Sequence, residues 1–359
     1  MSQSNPVRAV YMSRMSANPQ HRPVAIWLLV MILLVIAIIV IGGATRLTNS
    51  GLSITEWAPI RGVLPPLSNA QWVAEFEKYK KIPEFMAEHP DMDLAGFKFI
   101  YFWEWSHRQV GRLIGLAYVV PFFFFLLKGK LPKGSVFGYV SVLFLIGLQG
   151  AIGWWMVHSG LQDGMVSVSQ YRLAIHLGMA FLILGILFWL LRDQIERPRS
   201  SLTFTGKRSF YTPLAIFTVG LVYLQVLAGA IVAGTHSGKT FNTWPLMDGR
   251  FVPDGYAMMS PFWRNVFENT AAIQFNHRML AYVILGTAIC LWVSALRQKA
   301  RIGALLAFTG LLLWQVCLGI WTLLAVAPLN LSLLHQFSSI LVFLCAMWVW
   351  RNSRKVTVL

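Results

Sequence analysis

The sequence predicts an all-α integral membrane protein whose eight transmembrane helices form two tandem four-helix bundles related by pseudo-two-fold symmetry. Three observations carry that expectation. The chain is 56% hydrophobic and only 12% charged, nearly uncharged apolar runs recur along it, and one set of residues occurs twice in the same order. Each run is long enough to cross a hydrocarbon layer of about 30 Å, which takes roughly 20 helical residues. The runs fall at about 23–44, 103–127, 135–157, 172–191, 210–233, 273–296, 302–326 and 330–350. The first is too long for the apolar part of a signal peptide and lacks a small-residue cleavage site after it, so it is expected to be retained. The implied organisation is a tail over 1–22, a helical half over 23–192, a linker over 193–209, a second half over 210–350 and a tail over 351–359.

A net charge of +16 suggests a nucleic-acid partner until the charges are mapped onto this topology. The segments on the N-terminal side hold Arg8, Arg14 and Arg22; Lys128, Lys130 and Lys133; Arg192, Arg197, Arg199, Lys207 and Arg208; Arg297, Lys299 and Arg301; and Arg351, Arg354 and Lys355. The same side carries only two acids, Asp193 and Glu196. This is the positive-inside pattern, with both termini cytoplasmic. The basicity is topological, and the partner it implies is a lipid bilayer, with no nucleic acid. Cys290, Cys317 and Cys345 all fall in predicted helices of the second half. No outer-loop disulfide framework is available, and the three read as small packing residues.

The internal repeat orders the elements. TRLTNSGLSITEWAPIRGVLPP follows the first span, and AGTHSGKTFNTWPLMDGRFVP follows the fifth. Ser50-Gly51 matches Ser237-Gly238, Trp57 matches Trp244, Gly62 matches Gly249, and Pro65 and Pro253 follow. His107-Arg108 and His277-Arg278 then open apolar runs. Gln149 and Gly153 match Gln315 and Gly319, and His176 matches His335. The four histidines sit on helices of one direction, each expected within one to two turns of the outer end, so all share a depth. The outer connections, 45–102 and 234–272, far exceed the usual connection of roughly 4–6 residues and are expected to cover the sites below. The stretch WVAEFEKYKKIPEF reads as an amphipathic helix on the membrane face, with Trp72, Phe76 and Tyr79 on one side.

An imidazole in a bilayer is costly without a partner, and two imidazoles facing each other are what a heme iron needs for axial ligation. His107 with His176, and His277 with His335, therefore read as two porphyrin sites. A zinc set would add Cys, Asp or Glu at short spacing, and none is present in the sequence; a proton relay is the remaining alternative. His21, His89, His158 and His236 have no matched partner and read as structural. The two sites differ at one position: EWSHR in the first half places Glu104 one turn outward of His107, whereas QFNHR places Gln274 before His277. A carboxylate beside a porphyrin can do acid–base work or stabilise positive charge; an ion pair with Arg108, its i+4 neighbour, is the other reading. Arg108, Arg112 and Arg278 either hold heme propionates or snorkel to the surface. Arg46 and Arg172 are weaker candidates for the same role.

At these residues the chain resembles the heme A synthase family. GGATRLTNSGLSITEW, PEF, EWSHRQVGR, GLQGAIGWWMV, RLAIHLG, NTWPLMDG, QFNHR and LLHQ match that family's motifs in order, from about residue 42 to 340. The resemblance implies an oxidoreductase that converts a methyl group of heme O to the formyl group of heme A through hydroxylated intermediates, for cytochrome oxidase assembly. It implies that His107 and His176 ligate the substrate heme, that His277 and His335 ligate a heme b cofactor, and that Glu104 is catalytic. A cysteine pair that some members carry in an outer loop is absent here, so the chain resembles the branch without it. The implied partners are heme O, a heme O synthase and an electron acceptor of unspecified kind, and a homo-oligomer is compatible. The expected location is the bacterial inner (cell) membrane, with the heme sites near the outer face. Two rivals share the histidines: a diheme b-type electron-transfer protein, which gives no reason for the Glu104/Gln274 difference, and a heme exporter or chaperone. A heme O synthase is disfavoured because no paired-aspartate motif lies on the helices.

Overall fold

The computed structural model of the chain describes residues 22–57, 61–196, 210–298, 300 and 302–353. Nearly all of the N-terminal tail with His21, Arg8 and Arg14, most of the linker with Arg197, Arg199, Lys207 and Arg208, Lys299 and Arg301, and the end of the chain with Arg354 and Lys355 lie outside the described residues. Among the described residues the structure is helical with no strands, and eight helices are long and apolar enough to cross a membrane. These are α1 (Arg22–Leu47), α4 (Leu94–Leu127), α5 (Val136–Gly160), α6 (Gln170–Ile195), α7 (Tyr211–Gly234), α9 (Thr270–Arg297), α10 (Gly303–Leu324) and α11 (Leu329–Ser353). The outer connections add α2 (Asn69–Tyr79), α3 (Pro83–Glu88) and α8 (Arg264–Glu268).

Local chemistry sets the boundaries. Proline stands in the first turn of α1 (Pro23), α3 (Pro83) and α7 (Pro213), where a missing N–H costs nothing. The Asp93 side chain caps α4 by accepting from Gly96 N at 2.8 Å, and Asn269 caps α9 through Ala271 N and Ala272 N. Ser68 and Gln71 form a reciprocal capping box on α2. The spans begin and end within a few residues of the sequence expectation with one exception.

That exception is α4, which starts at Leu94 rather than near 103. Its outward extension gives the stretch 72–85 a place to pack. Trp72, Phe76 and Tyr79 of α2 and Phe85 of α3 are buried against Phe97, Ile100 and Tyr101 of α4, forming a second, smaller core. The amphipathic segment therefore buries its apolar face on protein rather than on the membrane, and it breaks into two helices at Pro83. A further consequence is that His107 lies thirteen residues past Leu94, nearly four turns in, and not one to two turns from the helix end. His176, His277 and His335 lie six, seven and six residues past the starts of α6, α9 and α11, in line with the expectation.

Helix pairing is the same in the two halves. In the first, α1 packs on α4 and α6, and α5 on α6; in the second, α7 packs on α9 and α11, and α10 on α11. The halves meet where α6 touches α7 and α1 touches α11, and one continuous apolar core runs through both. Gln336 of α11 seals the seam: its Nε2 donates to the Ile39 carbonyl of α1 at 2.8 Å, in space left by the missing side chain of Gly43. The outward faces of the spans carry exposed apolar residues such as Leu116, Val120, Phe137, Phe144, Ile289 and Leu313. Such a surface suits lipid and not water.

Where α6 and α11 end, Asp193 of α6 and Glu196 just after it are both held by Arg351 of α11, at 2.6 and 3.0 Å, and Glu196 also pairs with Arg192. Two cysteines depart from the packing role expected of them: Cys290 and Cys317 are exposed on the outward surface of the spans, and only Cys345 is partly buried.

Candidate functional site

The structure brings His107 of α4 and His176 of α6 together edge-on, with ring centroids 6.3 Å apart and planes at 63°. Two metal–imidazole bonds of about 2 Å in line, plus about 1.2 Å from each ligating nitrogen to its ring centre, span roughly 6.4 Å. The pair is thus spaced for one metal ion between its members. Among the described residues no group of three or more His, Cys, Asp or Glu converges, which suits an iron whose other four ligands come from a porphyrin.

Each of the four rings lies against a glycine of the neighbouring helix. A methyl group added at Gly42 of α1 would come within 2.8 Å of His107 Cε1. The corresponding distances are 2.9 Å from Gly153 of α5 to His176, 3.3 Å from Gly229 of α7 to His277 and 2.9 Å from Gly319 of α10 to His335. Four residues before three of these glycines stands a glutamine that reaches the same histidine. Gln149 Nε2 donates to the His176 carbonyl at 3.0 Å and lies 3.4 Å from its Nε2. Gln225 Nε2 donates to the His277 carbonyl at 3.0 Å and lies 3.2 Å from both ring nitrogens. Gln315 Nε2 donates to the His335 carbonyl at 3.1 Å and lies 3.4 Å from its Nε2. The Gln-x-x-x-Gly spacing puts amide and gap on one helix face. Gln149, Gly153, Gln315 and Gly319 are visible as repeat matches in the sequence, but their service to the histidines is not, and Gln225 escapes that comparison.

Outside the histidines, the repeated loop sequences fold alike. Thr48 and Ser50 hydroxyls meet at 2.6 Å, and Thr235 and Ser237 at 2.5 Å. The matched residues Asn49 and His236 both take left-handed backbone, at φ 47° and 53°. The arginine after each ligand candidate then clamps the loop. Arg108 donates to the carbonyls of Ile54 and Glu56, and Arg278 to those of Phe241 and Thr243. Trp57 meets Trp154 of α5 edge-on, and Trp244 Nε1 donates to Tyr282 OH of α9. The outer loops thus cover the helix ends that carry the histidines.

Glu104 and Gln274 are both buried and occupy equivalent places with opposite hydrogen-bonding sense. Glu104 accepts from Arg108 Nε at 3.0 Å and Nη2 at 2.5 Å, and from Ser53 Oγ and Ile54 N at 2.8 Å each. Gln274 accepts from Arg278 at 3.1 Å but donates to the Ser237 carbonyl at 2.9 Å. The ion-pair reading of Glu104 with Arg108 is therefore realised. Four hydrogen bonds from three residues fix this carboxylate in place, one turn from His107 on the same helix face. Arg108 spends most of its donors on Glu104 and the loop; Arg278 retains a buried Nε without a partner. Arg46 bridges the halves, donating to the Gly234 carbonyl and to His236 Nε2. Arg172 donates to the Trp155 carbonyl and stacks on that ring. His89 pairs with Tyr79 OH at 2.8 Å, and His158 stacks on Trp154, structural uses in both cases.

One acidic residue has no place in the sequence reading beyond its motif. Glu84 of α3 is buried, accepts from Tyr79 OH at 3.2 Å, and has its carboxyl pushed up to about 8, by burial first and by the negative field of Glu104 and Glu88 after that, against the opposing pull of Tyr79 and Arg46. Its surroundings thus favour the protonated form. Its only sequence signal is PEF, which does not reveal that α4 extends far enough to bury it.

Comparison with known proteins identifies the family of the chain. The model of the COX15-CtaA family, described as cytochrome oxidase assembly protein, matches residues 25–347. A heme A synthase of Beijerinckia indica subsp. indica is 49% identical over 330 residues, covering 89% of this chain and 90% of that protein. Heme A synthases of Brucella ovis and Brucella abortus are each 45% identical over 343 residues, covering 93% of this chain and 92% of theirs. The chain with these paired histidines therefore belongs to the COX15-CtaA family of cytochrome oxidase assembly proteins.

Proposed function

We propose that this membrane protein is an oxidoreductase that converts heme O to heme A for cytochrome oxidase assembly. The observation that carries the reading is the His107–His176 pair, spaced for one iron in a chain nearly half identical to a heme A synthase. In this reading His107 and His176 ligate the substrate heme, His277 and His335 a resident heme b, and the two halves divide the labour. The donor set fits such groups: half-buried imidazoles, no third protein ligand among the described residues, and glycine gaps that admit each ring. A bound heme b supplies one-electron redox chemistry.

The side chains do the remainder. Glu104 sets a full negative charge where oxidation of the porphyrin edge builds positive charge, and it acts on that charge electrostatically. Ser53 and Ile54 of the loop and Arg108 of α4 fix its direction. Arg112 and Arg278, with the donor Arg108 has left, are the candidates for the propionates. The surplus of basic residues on the inner side supports cytoplasmic termini, a place in the bacterial inner membrane and heme sites toward the outer face. A membrane-bound heme O synthase is the chemically apt supplier.

Porphyrin extraction and mass analysis of the purified protein tests the reading. Heme O and heme A beside heme b are expected. Heme b alone, in cells that make heme O, would favour the diheme electron-transfer protein instead.

A further inference from the structure

The glutamines divide the four histidines into two kinds. Aligning Gly42 with Gly229 and Ser50 with Ser237 puts Ile38 of α1 at the position of Gln225 in α7. Ile38 offers no side-chain hydrogen bond; its Cδ1 instead fills space beside Gly111, one turn inward of His107. Hence His176, His277 and His335 each contact a carboxamide that also grips the main chain of the same residue. His107 is backed by an aliphatic side chain, and its Nδ1 has no hydrogen-bonding partner.

The carboxamides also carry an unused group. Gln149, Gln225 and Gln315 each bury an Oε1 without a partner, and His176 and His335 each bury an unpartnered Nδ1. An imidazole that gives Nε2 to a metal carries its proton on Nδ1, and a buried acceptor for that proton fixes the ring and raises its basicity. The orphaned amide oxygens are such acceptors, on side chains already touching the rings. Nothing on the Ile38 side chain can do this for His107.

We infer that His107 is the exchangeable histidine. The carboxamides of Gln149, Gln225 and Gln315 hold three imidazoles as fixed ligands, while the ring backed by Ile38 withdraws from the axis it shares with His176. The inference rests on the reading of both pairs as axial ligands, and it deepens that reading. A resident cofactor suits two held ligands. A substrate that must arrive and depart suits one held and one releasable. It also places an opened axial position directly below Glu104, one turn away on the same helix face.

Carbon monoxide tests this, because it binds reduced heme only where an axial ligand withdraws. In the full chain loaded with heme and reduced with dithionite, one of two hemes is expected to take up the gas. Ile38→Gln should slow that uptake about tenfold or more, the usual effect of a partner to a ligating histidine, while Ile38→Leu leaves it unchanged. Gln225→Ile should create a second reactive heme. If Ile38→Gln fails to accumulate, Gln225→Ile decides alone: a second reactive heme upholds the inference, and an unchanged count overturns it. Uptake unaffected by Ile38→Gln, or no uptake in the wild type, with both hemes present, overturns the inference and leaves the paired ligands standing. A preparation in which His107 and His176 variants lose no heme overturns both.

Discussion

Arg108 and Arg278 perform the same task, each clamping two carbonyls of an outer loop and the residue four before it, yet that residue is a carboxylate in one half and a carboxamide in the other. Around Glu104 the loop presents a hydroxyl and an N–H; around Gln274 it presents a carbonyl. The loops have been shaped to the charge, so the difference is a built feature and not a neutral exchange. Two further differences fall in the first half: Ile38 replaces the glutamine of the other three histidines, and an extended α4 carries a second small core with a buried Glu84. The second half is the simpler, more tightly held site. The first is the one with a fixed charge and a loosely held ligand candidate.

The largest effect that could break this comparison comes from the histidines. His277→Ala or His335→Ala is expected to remove one heme, read as loss of the heme b absorbance, whereas His107→Ala keeps that band and impairs handling of heme O. Four variants of identical spectrum would erase the distinction between halves. Next come the gaps. Gly319→Ala puts a methyl 2.9 Å from His335 Cε1 and Gly229→Ala one 3.3 Å from His277 Cε1; heme content should fall several-fold in the first and only slightly in the second, a contrast that pyridine hemochrome assays measure.

Glu104→Gln should abolish most heme A production while the second-half heme stays bound. A carboxamide has one oxygen for two clients, so either Ile54 N–H or Arg108 goes unpaired, at about 1–3 kcal/mol. The loop should therefore also gain backbone exchange near Ser53. Normal heme A output from this variant removes Glu104 from the chemistry. The smallest effect concerns Glu84. Its carboxyl titrates at about 8 in the fold against a usual 4.5. The folded state therefore holds the extra proton between those values, and stability drops as pH rises through that window, then levels off. Amide protection over α2 and α3, corrected for the intrinsic rise of exchange with pH, should fall from pH 5 to 8 in the wild type and stay constant in Glu84→Gln.

Much of this was legible in advance because a bilayer imposes its length on every span and a duplicated motif identifies its own partners. The eight helices, the four histidines and the Glu104/Gln274 difference needed no coordinates. What was hidden depended on packing between elements remote in sequence. The start of α4 at Leu94 is stabilised by α2 and α3, which no local pattern announces, and it is what turned a supposed surface helix into the lid of a small core. Gln225 stands in an uninterrupted apolar run where an isolated amide looks like tolerance; only its contact with His277 gives it meaning. Arg108 and Arg278 had two open readings, and the third one, loop clamping, requires the loops to be in place.

The claim beneath all of this is that each pair of imidazoles shares one iron. Near-infrared magnetic circular dichroism of the purified ferric protein reads axial ligands directly. The expected result is two hemes per chain, both low-spin with two imidazoles; a single heme, or a spectrum of mixed or non-histidine ligation, would contradict it.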